Sequence, residues 1–189
     1  MRVTREQAAQ NRERVLDTAS KLFRERGFNG VGVADLMQSA GLTHGAFYGQ
    51  FESKEDLMAQ ACARAYEKLD ERWRDAAARS PGRPLAGVLA SYLSTSHRDR
   101  PAEGCVAAAL GAEAAREGPA LRHAVTQGTK AQLDALSGLM IGASKSARRQ
   151  RAAATLAGMV GALVLSRMLD DEALSKEILR AVRTTASQE

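Results

Sequence analysis

The sequence is poor in cysteine, proline and aromatic residues, and each shortage excludes a class of protein. Its 2 cysteines, Cys62 and Cys105, are too few for a disulfide-held scaffold and lack the close spacing of a zinc site. With only 4 prolines, 4% aromatic residues and abundant alanine, the composition favours helices over a β-sandwich. The longest apolar run, residues 156–165, is shorter than the ~18 residues that a membrane-spanning helix needs. We therefore expect a helical protein that does not enter a membrane.

The N-terminal third also lacks an excess of basic charge, although the whole chain has one. The 189 residues include 27 Lys and Arg against 22 Asp and Glu, which gives a net charge of +5. Residues 1–57 contain eight basic and eight acidic side chains, so the surplus lies entirely in the remainder. A basic balance permits nucleic-acid binding without proving it. Any DNA binding must therefore depend on a local motif.

Targeting and catalytic motifs are missing as well. The first ten residues contain no apolar run typical of a secretory signal, so we expect a cytoplasmic protein. The 3 histidines are scattered singly, and no phosphate-binding loop or nucleophile motif accompanies them. We expect no metal site, no cofactor and no enzyme activity.

Apolar residues recur at helical spacing along most of the chain. Val15, Ala19, Leu22 and Phe23 give a first helix its buried stripe. Breaks follow at Gly27, at Gly41 and in the segment 80–84. The polar stretch 97–104 reads as a loop and the basic stretch 144–151 as a turn. The pattern predicts an all-α fold of about nine helices.

Two short predicted helices joined at Gly41 form a candidate helix-turn-helix. The first covers residues 33–40, and the second begins after Thr43, which can cap it. The outward residues of the second helix are small or hydrogen-bonding and include no acid: Thr43, His44, Gly45, Tyr48, Gly49 and Gln50. A helix that enters a major groove needs such residues for base contacts and close approach. The alternative is an ordinary surface helix of a helical bundle.

Residues 41–57, GLTHGAFYGQFESKEDL, resemble the recognition-helix signature of the TetR family of bacterial transcriptional regulators. Matches to the family's first helix extend the resemblance over residues 10–57: Ala19, Leu22, Phe23, Gly27 and Phe28. The resemblance implies a three-helix DNA-binding domain, residues 1–52, with the helix-turn-helix. A helical effector-binding and dimerisation domain, residues 53–189, would follow it.

The resemblance also implies an interface with double-stranded operator DNA. The predicted contact residues are Thr43, His44, Gly45, Ala46, Tyr48, Gln50 and Lys54. Tyr48 and Lys54 would hold phosphates, and Thr43, His44 and Ala46 would lie nearest the bases. The structural alternatives are a half-buried Tyr48 ring and a solvated Lys54.

The sequence departs from the family pattern at two positions. Gly32 stands where the family usually has a Ser or Thr that caps the second helix and touches a phosphate. Gln50 replaces the usual His or Tyr before Phe51. The first departure leaves one phosphate contact without its usual side chain, whereas the second changes a donor.

The segment 152–169 is strongly apolar and contains small residues through which helix backbones can approach closely. Ala154, Ala157, Gly158 and Gly161 supply these positions. Such a helix is either central in a core or pressed against another subunit. The resemblance implies a homodimer through the helices at 152–169 and 172–186.

The helices from residue 53 to residue 140 are expected to surround an effector cavity. The candidate lining residues are Cys62, Tyr66, Trp73, Tyr92, His97, Cys105 and Met140. Each has the alternative of being plain core. Cys105 follows Gly104 at a predicted helix start, and residues 104–128 resemble the N-ethylmaleimide-responsive repressors of the family. That resemblance implies a cysteine that senses electrophiles, and its alternative is a small apolar residue that fills a gap.

These features predict a ligand-responsive repressor that leaves a palindromic operator when a small molecule or electrophile binds its C-terminal domain. The alternative is a helical dimer that binds a small molecule without binding DNA. The neutral N-terminal segment and Gly32 keep that alternative open.

Overall fold

The computed structural model describes residues 4–141 and 144–188, and within these ranges it contains nine α-helices and no strand. The helices are α1 Arg5–Arg26, α2 Val33–Ser39, α3 Lys54–Ala78, α4 Pro84–Tyr92, α5 Thr95–Asp99, α6 Val106–Ala114, α7 Pro119–Leu139, α8 Lys145–Met168 and α9 Glu172–Ser187. Two 3₁₀ turns, His44–Ala46 and Pro101–Glu103, complete the secondary structure. The predicted all-α fold is confirmed. Residues 1–3, 142–143 and 189 of the two predicted domains lie outside the described residues.

Two stretches that the sequence predicted as loop and turn contain helix. The predicted loop 97–104 includes the end of α5 and the turn Pro101–Glu103. Ser94 caps α5 by accepting the N–H of His97 at 3.1 Å. The predicted basic turn 144–151 is instead the start of α8, because Ser144 accepts the N–H of Ala147 at 3.1 Å. Both corrections come from serine hydroxyls that cap a helix.

The helix predicted after Thr43 is shorter than expected. It consists of the 3₁₀ turn His44–Ala46, continued to Phe51 by tight backbone turns. The Thr43 side chain forms no cap hydrogen bond, which corrects the predicted capping role. Gly45 and Gly49 explain the short helix, since glycine weakens a helix interior.

The buried side chains form two clusters. The first joins α1, α2 and the beginning of α3 to α6 and the start of α7. The second joins the rest of α3 and α4 to α7, α8 and α9. Because Leu57, Tyr66 and Leu110 belong to the first cluster, the buried core continues past residue 52. The domain boundary at that residue stays a prediction.

The end of α1 is fixed to α6 by a side-chain bond. Gly27 has φ +77°, a conformation that favours glycine, and a Cβ there would lie 2.8 Å from a carboxylate oxygen of Glu113. The same carboxylate accepts the N–H of Phe28 at 2.8 Å. The first helix is therefore attached directly to a helix that lies about eighty residues later in the chain.

Helices α8 and α9 pack together and leave an apolar outer face. Met168 is 72% exposed, Leu165 49% and Leu174 40%. The small side chains of Ala154 and Ala157 are exposed on α8 as well. Apolar surface of this kind is typical of a contact with another molecule. No helix in the described part of the chain is long and apolar enough to cross a bilayer.

We predict that Gly128→Ala destabilises the protein, because its Cβ would lie 2.2 Å from the ring of Tyr66. That ring is buried, so we expect a loss of about 1–3 kcal/mol in the free energy of unfolding, measured in urea. Gly138→Ala in the same helix is the control, since no heavy atom lies within 4 Å of its added Cβ. Equal losses for the two variants would contradict the packing described.

Candidate functional site

An exposed surface without acidic side chains follows the second helix, in residues 41–51. Tyr48 is 71% exposed, and His44 packs edge-on against it with ring centroids 5.7 Å apart. Gly45 has no heavy atom within 4 Å of the place where a Cβ would stand. The surface therefore offers hydrogen-bonding groups, close access to the backbone and no carboxylate to repel a phosphate.

Two buried rings hold this surface in place. Phe47 and Phe51 are 2% and 3% exposed, and their rings stack with centroids 5.7 Å apart. The guanidinium of Arg12 lies 5.0 Å from the centroid of the Phe51 ring. Phe47 also packs edge-on against Tyr48 at 5.3 Å, so the exposed ring is positioned by a buried one.

The other predicted contact residues differ in how freely they can reach DNA. Thr43 is exposed and Ala46 is half-buried. Gln50 is half-buried too, and its Nε2 donates to the carbonyl of Ala46 at 3.2 Å. Its amide group is thus partly occupied by the turn that it follows.

Lys54 is the first residue of α3, next to the capping Ser53, whose hydroxyl accepts the N–H of Asp56 at 3.0 Å. Its Nζ donates to the carbonyl of Phe28 at 2.7 Å. An ammonium group has three donors, so two remain for a phosphate. Lys54 joins the α1–α2 connection to α3, and its role toward DNA stays a prediction.

A cleft of ≈ 350 Å³ opens between α3, α4 and the segment that contains α5. It is lined by Leu69, Arg72, Trp73, Ser91, Tyr92, Ser94, Ser96, His97, Arg100 and Glu103. Three of the predicted effector residues meet in this cleft. The ring centroids of Trp73 and Tyr92 lie 6.0 Å apart, and those of Tyr92 and His97 lie 4.6 Å apart.

The lining of this cleft does not include the other four predicted effector residues. Cys105 is buried behind His97, and Met140 is buried after the end of α7. Cys62 and Tyr66 belong to the cluster around α1. Contact between these four residues and an effector stays a prediction.

His97 links the end of α4 to the start of α6. Its Nδ1 lies 2.7 Å from the carbonyl of Tyr92, and its Nε2 lies 3.0 Å from the backbone nitrogen of Cys105. Only the neutral ring with its hydrogen on Nδ1 satisfies both contacts, donating to the first and accepting from the second. Burial lowers the pKa of His97 to about 4, and the charges of Arg167 and Arg72 act in the same direction.

The two thiols have different surroundings. Burial raises the pKa of the Cys62 thiol to about 12, so it stays protonated near neutral pH. Cys105 is completely buried at the N-cap position of α6, and its thiol lies beside the hydroxyl of Tyr92.

Three arginines that the sequence did not single out donate to backbone carbonyls of residues 97–103. Arg24 donates from Nε at 3.0 Å and from Nη2 to the carbonyl of Ala102. Arg72 donates to the carbonyl of Glu103, and Arg167 donates to those of Arg98 and His97 at 2.9 Å. Burial lowers the pKa of Arg24 to about 10. Their acceptors lie 31 to 78 residues away in the sequence, so no local pattern could have revealed these bonds.

Comparison with known proteins gives matches that include the surface of residues 41–51. Residues 15–61 match the family model described as "Bacterial regulatory proteins, tetR family". The HTH-type transcriptional regulator AcrR of Shigella flexneri is 32% identical over 92 residues, which are 49% of this chain and 42% of that protein. The HTH-type transcriptional repressor NemR of Escherichia coli is 29% identical over 129 residues, 67% of this chain and 65% of that protein. The matched part thus spans about two fifths to two thirds of the length of these relatives.

The fold is that of solved regulators along nearly its whole length. The crystal structure of reduced NemR from Escherichia coli has a TM-score of 0.79 at 23% identity and covers 95% of this chain and 96% of its own. At that identity the likeness concerns the fold.

We predict that protonation of His97 destabilises the folded protein. Its pKa is about 4 when folded and about 6.5 in an unfolded chain, so between these pH values only the unfolded state binds the proton. The free energy of unfolding should therefore fall as the pH is lowered from 6.5 to 4. His97→Gln should make this fall shallower in urea titrations at several pH values.

The exposed His123 on α7 provides the control for this titration. His123→Gln should keep the pH dependence of the original protein. A His97→Gln protein with an unchanged pH dependence would refute the prediction.

Proposed function

We propose that this chain is a transcriptional repressor of the tetR family of bacterial regulatory proteins, and that a small effector lowers its DNA affinity. The observation that carries the proposal is the exposed, acid-free surface of residues 41–51, backed by the buried rings of Phe47 and Phe51. The relative AcrR is named an HTH-type transcriptional regulator and NemR an HTH-type transcriptional repressor.

In this proposal the turn His44–Ala46 enters the major groove. Thr43, His44 and Ala46 lie nearest the bases, with Gly45 permitting close approach of the backbone. The exposed hydroxyl of Tyr48 and the remaining donors of Lys54 hold phosphates. Gly32, the N-cap of α2, contributes no side chain.

Two of the eight acids of residues 1–57, Glu13 and Asp17 of α1, are paired with bases of α3. Arg64 of α3 contacts Glu13 and, at 3.3 Å, Asp17. Lys68 contacts Asp17 at 2.7 Å. A single DNA-binding domain without net positive charge releases few counterions when it binds DNA. Tight binding to an operator therefore requires two such domains.

We propose that the second DNA-binding domain comes from a second copy of the chain. The apolar outer face of α8 and α9, with Leu165, Met168 and Leu174 exposed, supports a homodimer through these helices. A two-fold symmetric dimer would read a near-palindromic operator, with half-sites about one helical turn or somewhat more apart.

The cleft beside Trp73 and Tyr92 is proposed as the effector site. An effector can weaken DNA binding only if it has different affinities for the two states, and DNA must weaken effector binding by the same factor. Arg24 supplies a direct connection, since it extends from α1 to the carbonyl of Ala102. Ala102 lies between Arg100 and Glu103, which line the cleft. An effector that displaces this segment therefore acts on α1 through one side chain.

Cys105 is proposed as a second input, by reaction with an electrophile. Alkylation of a completely buried thiol behind His97 would displace the segment that Arg24 holds. Cys62, with its raised pKa, is proposed to be inert.

The two other readings of the sequence receive less support. A helical dimer that binds a ligand without DNA is not favoured, because the family model covers the helix-turn-helix itself. The family consists of regulatory proteins, which supports a non-enzymatic role. Since its proposed target is chromosomal DNA, we propose that it acts in the cytoplasm.

We predict that variants of the surface of residues 41–51 and of Lys54 affect DNA binding in two different ways. Tyr48→Phe and Lys54→Ala should weaken binding to all DNA sequences, because they remove phosphate contacts. His44→Ala should instead relax the preference at one base pair, at a cost of about 1–3 kcal/mol. The measurement is selection of fragments from random DNA, followed by titration of selected and unrelated duplexes at fixed salt.

Lys130→Ala, on the exposed side of α7, is the matched control and should bind DNA normally. If Lys54→Ala and His44→Ala changed the sequence preference equally, the assignment of roles would be wrong. Failure of the dimer to select any DNA would instead favour a ligand-binding protein.

We predict that N-ethylmaleimide lowers the affinity for a selected DNA fragment and that Cys105→Ser abolishes this response. Cys62→Ser, which removes the other thiol, should respond as the original protein does. Mass spectrometry of the alkylated protein should locate the adduct on Cys105, and titration with the fragment should give the loss of affinity.

Arg24→Gln should react with the reagent and still bind DNA, but with a smaller loss of affinity on alkylation. Arg26→Gln, exposed in the last turn of the same helix, is its control. Continued release of a Cys105→Ser protein would show that this cysteine is not the sensor.

A further inference from the structure

Two arginines of α1 contact the surface of residues 41–51 at its opposite ends. Nη1 of Arg14 lies 3.7 Å from the place where a Cβ of Gly41 would stand. The guanidinium of Arg12 lies 5.0 Å from the centroid of the Phe51 ring. Helix α1 therefore places one guanidinium group at each end of the surface that is proposed to bind DNA.

The two guanidinium groups differ in how much of their hydrogen-bonding capacity is used. Arg12 is half-buried, packs on the Phe51 ring and donates from Nη2 to the side-chain oxygen of Gln60. Arg14 is exposed, and its one hydrogen bond within the described residues runs from Nη2 to Oδ1 of Asn11 at 3.0 Å. A guanidinium group has five N–H donors, so most of those of Arg14 remain for a ligand. Arg12 thus supports the surface, whereas Arg14 can bind a ligand beside it.

The acidic residues closest to Arg14 along α1 are bound by another helix. Glu13 contacts Arg64 of α3, and Asp17 contacts Lys68 of α3 at 2.7 Å. In the ranges that the structure describes, Arg14 forms no ion pair with a carboxylate. Basic side chains of α3 thus pair with these two acids, and the positive charge of Arg14 remains at the edge of the surface.

The beginning of α2 supplies no side chain that could bind a phosphate. Its N-cap Gly32 has no side chain, and the next two residues, Val33 and Ala34, are apolar. The heavy atom nearest to the place of the missing Cβ of Gly32 is a carboxylate oxygen of Asp35, at 3.5 Å. Because a carboxylate repels a phosphate, a phosphate near the helix-turn-helix has to be bound by cations of other elements.

We propose that Arg14 binds a phosphate of the DNA backbone beside the surface of residues 41–51. This contact depends on the proposed function, which places DNA against that surface. Double-stranded DNA carries one negative charge per ~1.7 Å of helix axis, so a cation at the edge of a surface inserted in its groove lies close to phosphates. The planar guanidinium group can donate two parallel N–H bonds to one phosphate. Phosphate contacts carry no base sequence, so Arg14 adds affinity and not specificity.

We expect Arg14→Gln to weaken the binding of all DNA about tenfold, because each copy of the chain loses a charge-assisted contact. The measurement is titration of a fragment selected by the original protein, and of an unrelated duplex of the same length, at several salt concentrations. A dimer loses two contacts, and each contributes about 0.9 to the slope of log K against log salt concentration, so the slope should become shallower by about 1.8. Both duplexes should lose affinity by the same factor.

Two further variants separate a phosphate contact from a general effect of charge. Arg14→Lys keeps the charge but not the fork of donors, so it should retain the salt slope and lose less affinity than Arg14→Gln. Lys21→Gln removes an exposed charge on the same face of α1, about 10 Å further along the helix. It should change affinity and slope much less, because salt largely screens a charge at that distance. Both positions are exposed, so the variants should unfold in urea as the original protein does.

An unchanged affinity and salt slope in Arg14→Gln would overturn the contact, and so would an equal effect of Lys21→Gln. A changed base preference in Arg14→Gln would also contradict it, since that outcome indicates a contact with a base. If the original protein selects no DNA, the proposed repressor and this contact are both wrong. If it selects DNA and Arg14→Gln binds as tightly as before, only the contact is wrong.

Discussion

The hydrogen bonds that arginine side chains donate to the carbonyls of residues 97–103 connect the main parts of this molecule. Arg24 reaches this segment from α1, Arg72 from α3 and Arg167 from α8. Burying a guanidinium group is costly, and the carbonyl acceptors offset part of that cost. The lowered pKa of Arg24 shows that part of the cost of burying its guanidinium group is not offset. One short segment is thus held by three helices that are distant in the sequence.

The position of this segment connects the cleft to the thiol of Cys105. Its outer side lines the cleft through Arg100 and Glu103, while its carbonyls accept bonds from the helices behind it. His97 connects it to Cys105 at the start of α6. Helix α6 in turn holds the end of α1 through Glu113. The cleft and the thiol are therefore connected to the first helix by two sets of direct contacts. One runs through Arg24 and the other through Glu113 of α6.

The sequence was informative wherever the chemistry is local. The pattern of apolar residues predicted the all-α fold and the first helix. Residues 41–57 predicted a DNA-contacting surface, and its contact residues stay a prediction. Local patterns were less informative about the exact form of that surface. Glycine at positions 45 and 49 shortens the predicted helix to a 3₁₀ turn, and Lys54 forms a bond with Phe28 that its position at a helix start does not reveal. Ser94 and Ser144 are capping residues in the sequence, but the polar residues that follow them led to the prediction of a loop and a turn instead of helices.

By itself the sequence determined the helical class, the family resemblance and the order of the elements, because periodicity and short motifs involve residues within a few turns of one another. Tertiary structure decided which side chains share the cleft. Trp73, Tyr92 and His97 were predicted as separate candidates, and only the fold places them together, while it places Cys62 and Tyr66 in another cluster. The sequence did not reveal the role of Arg24, Arg72 and Arg167, because the guanidinium group of an arginine on a helix is usually exposed to solvent. These arginines donate to backbone carbonyls up to 78 residues away in the sequence. Only the packing of the helices brings the guanidinium groups and these carbonyls together.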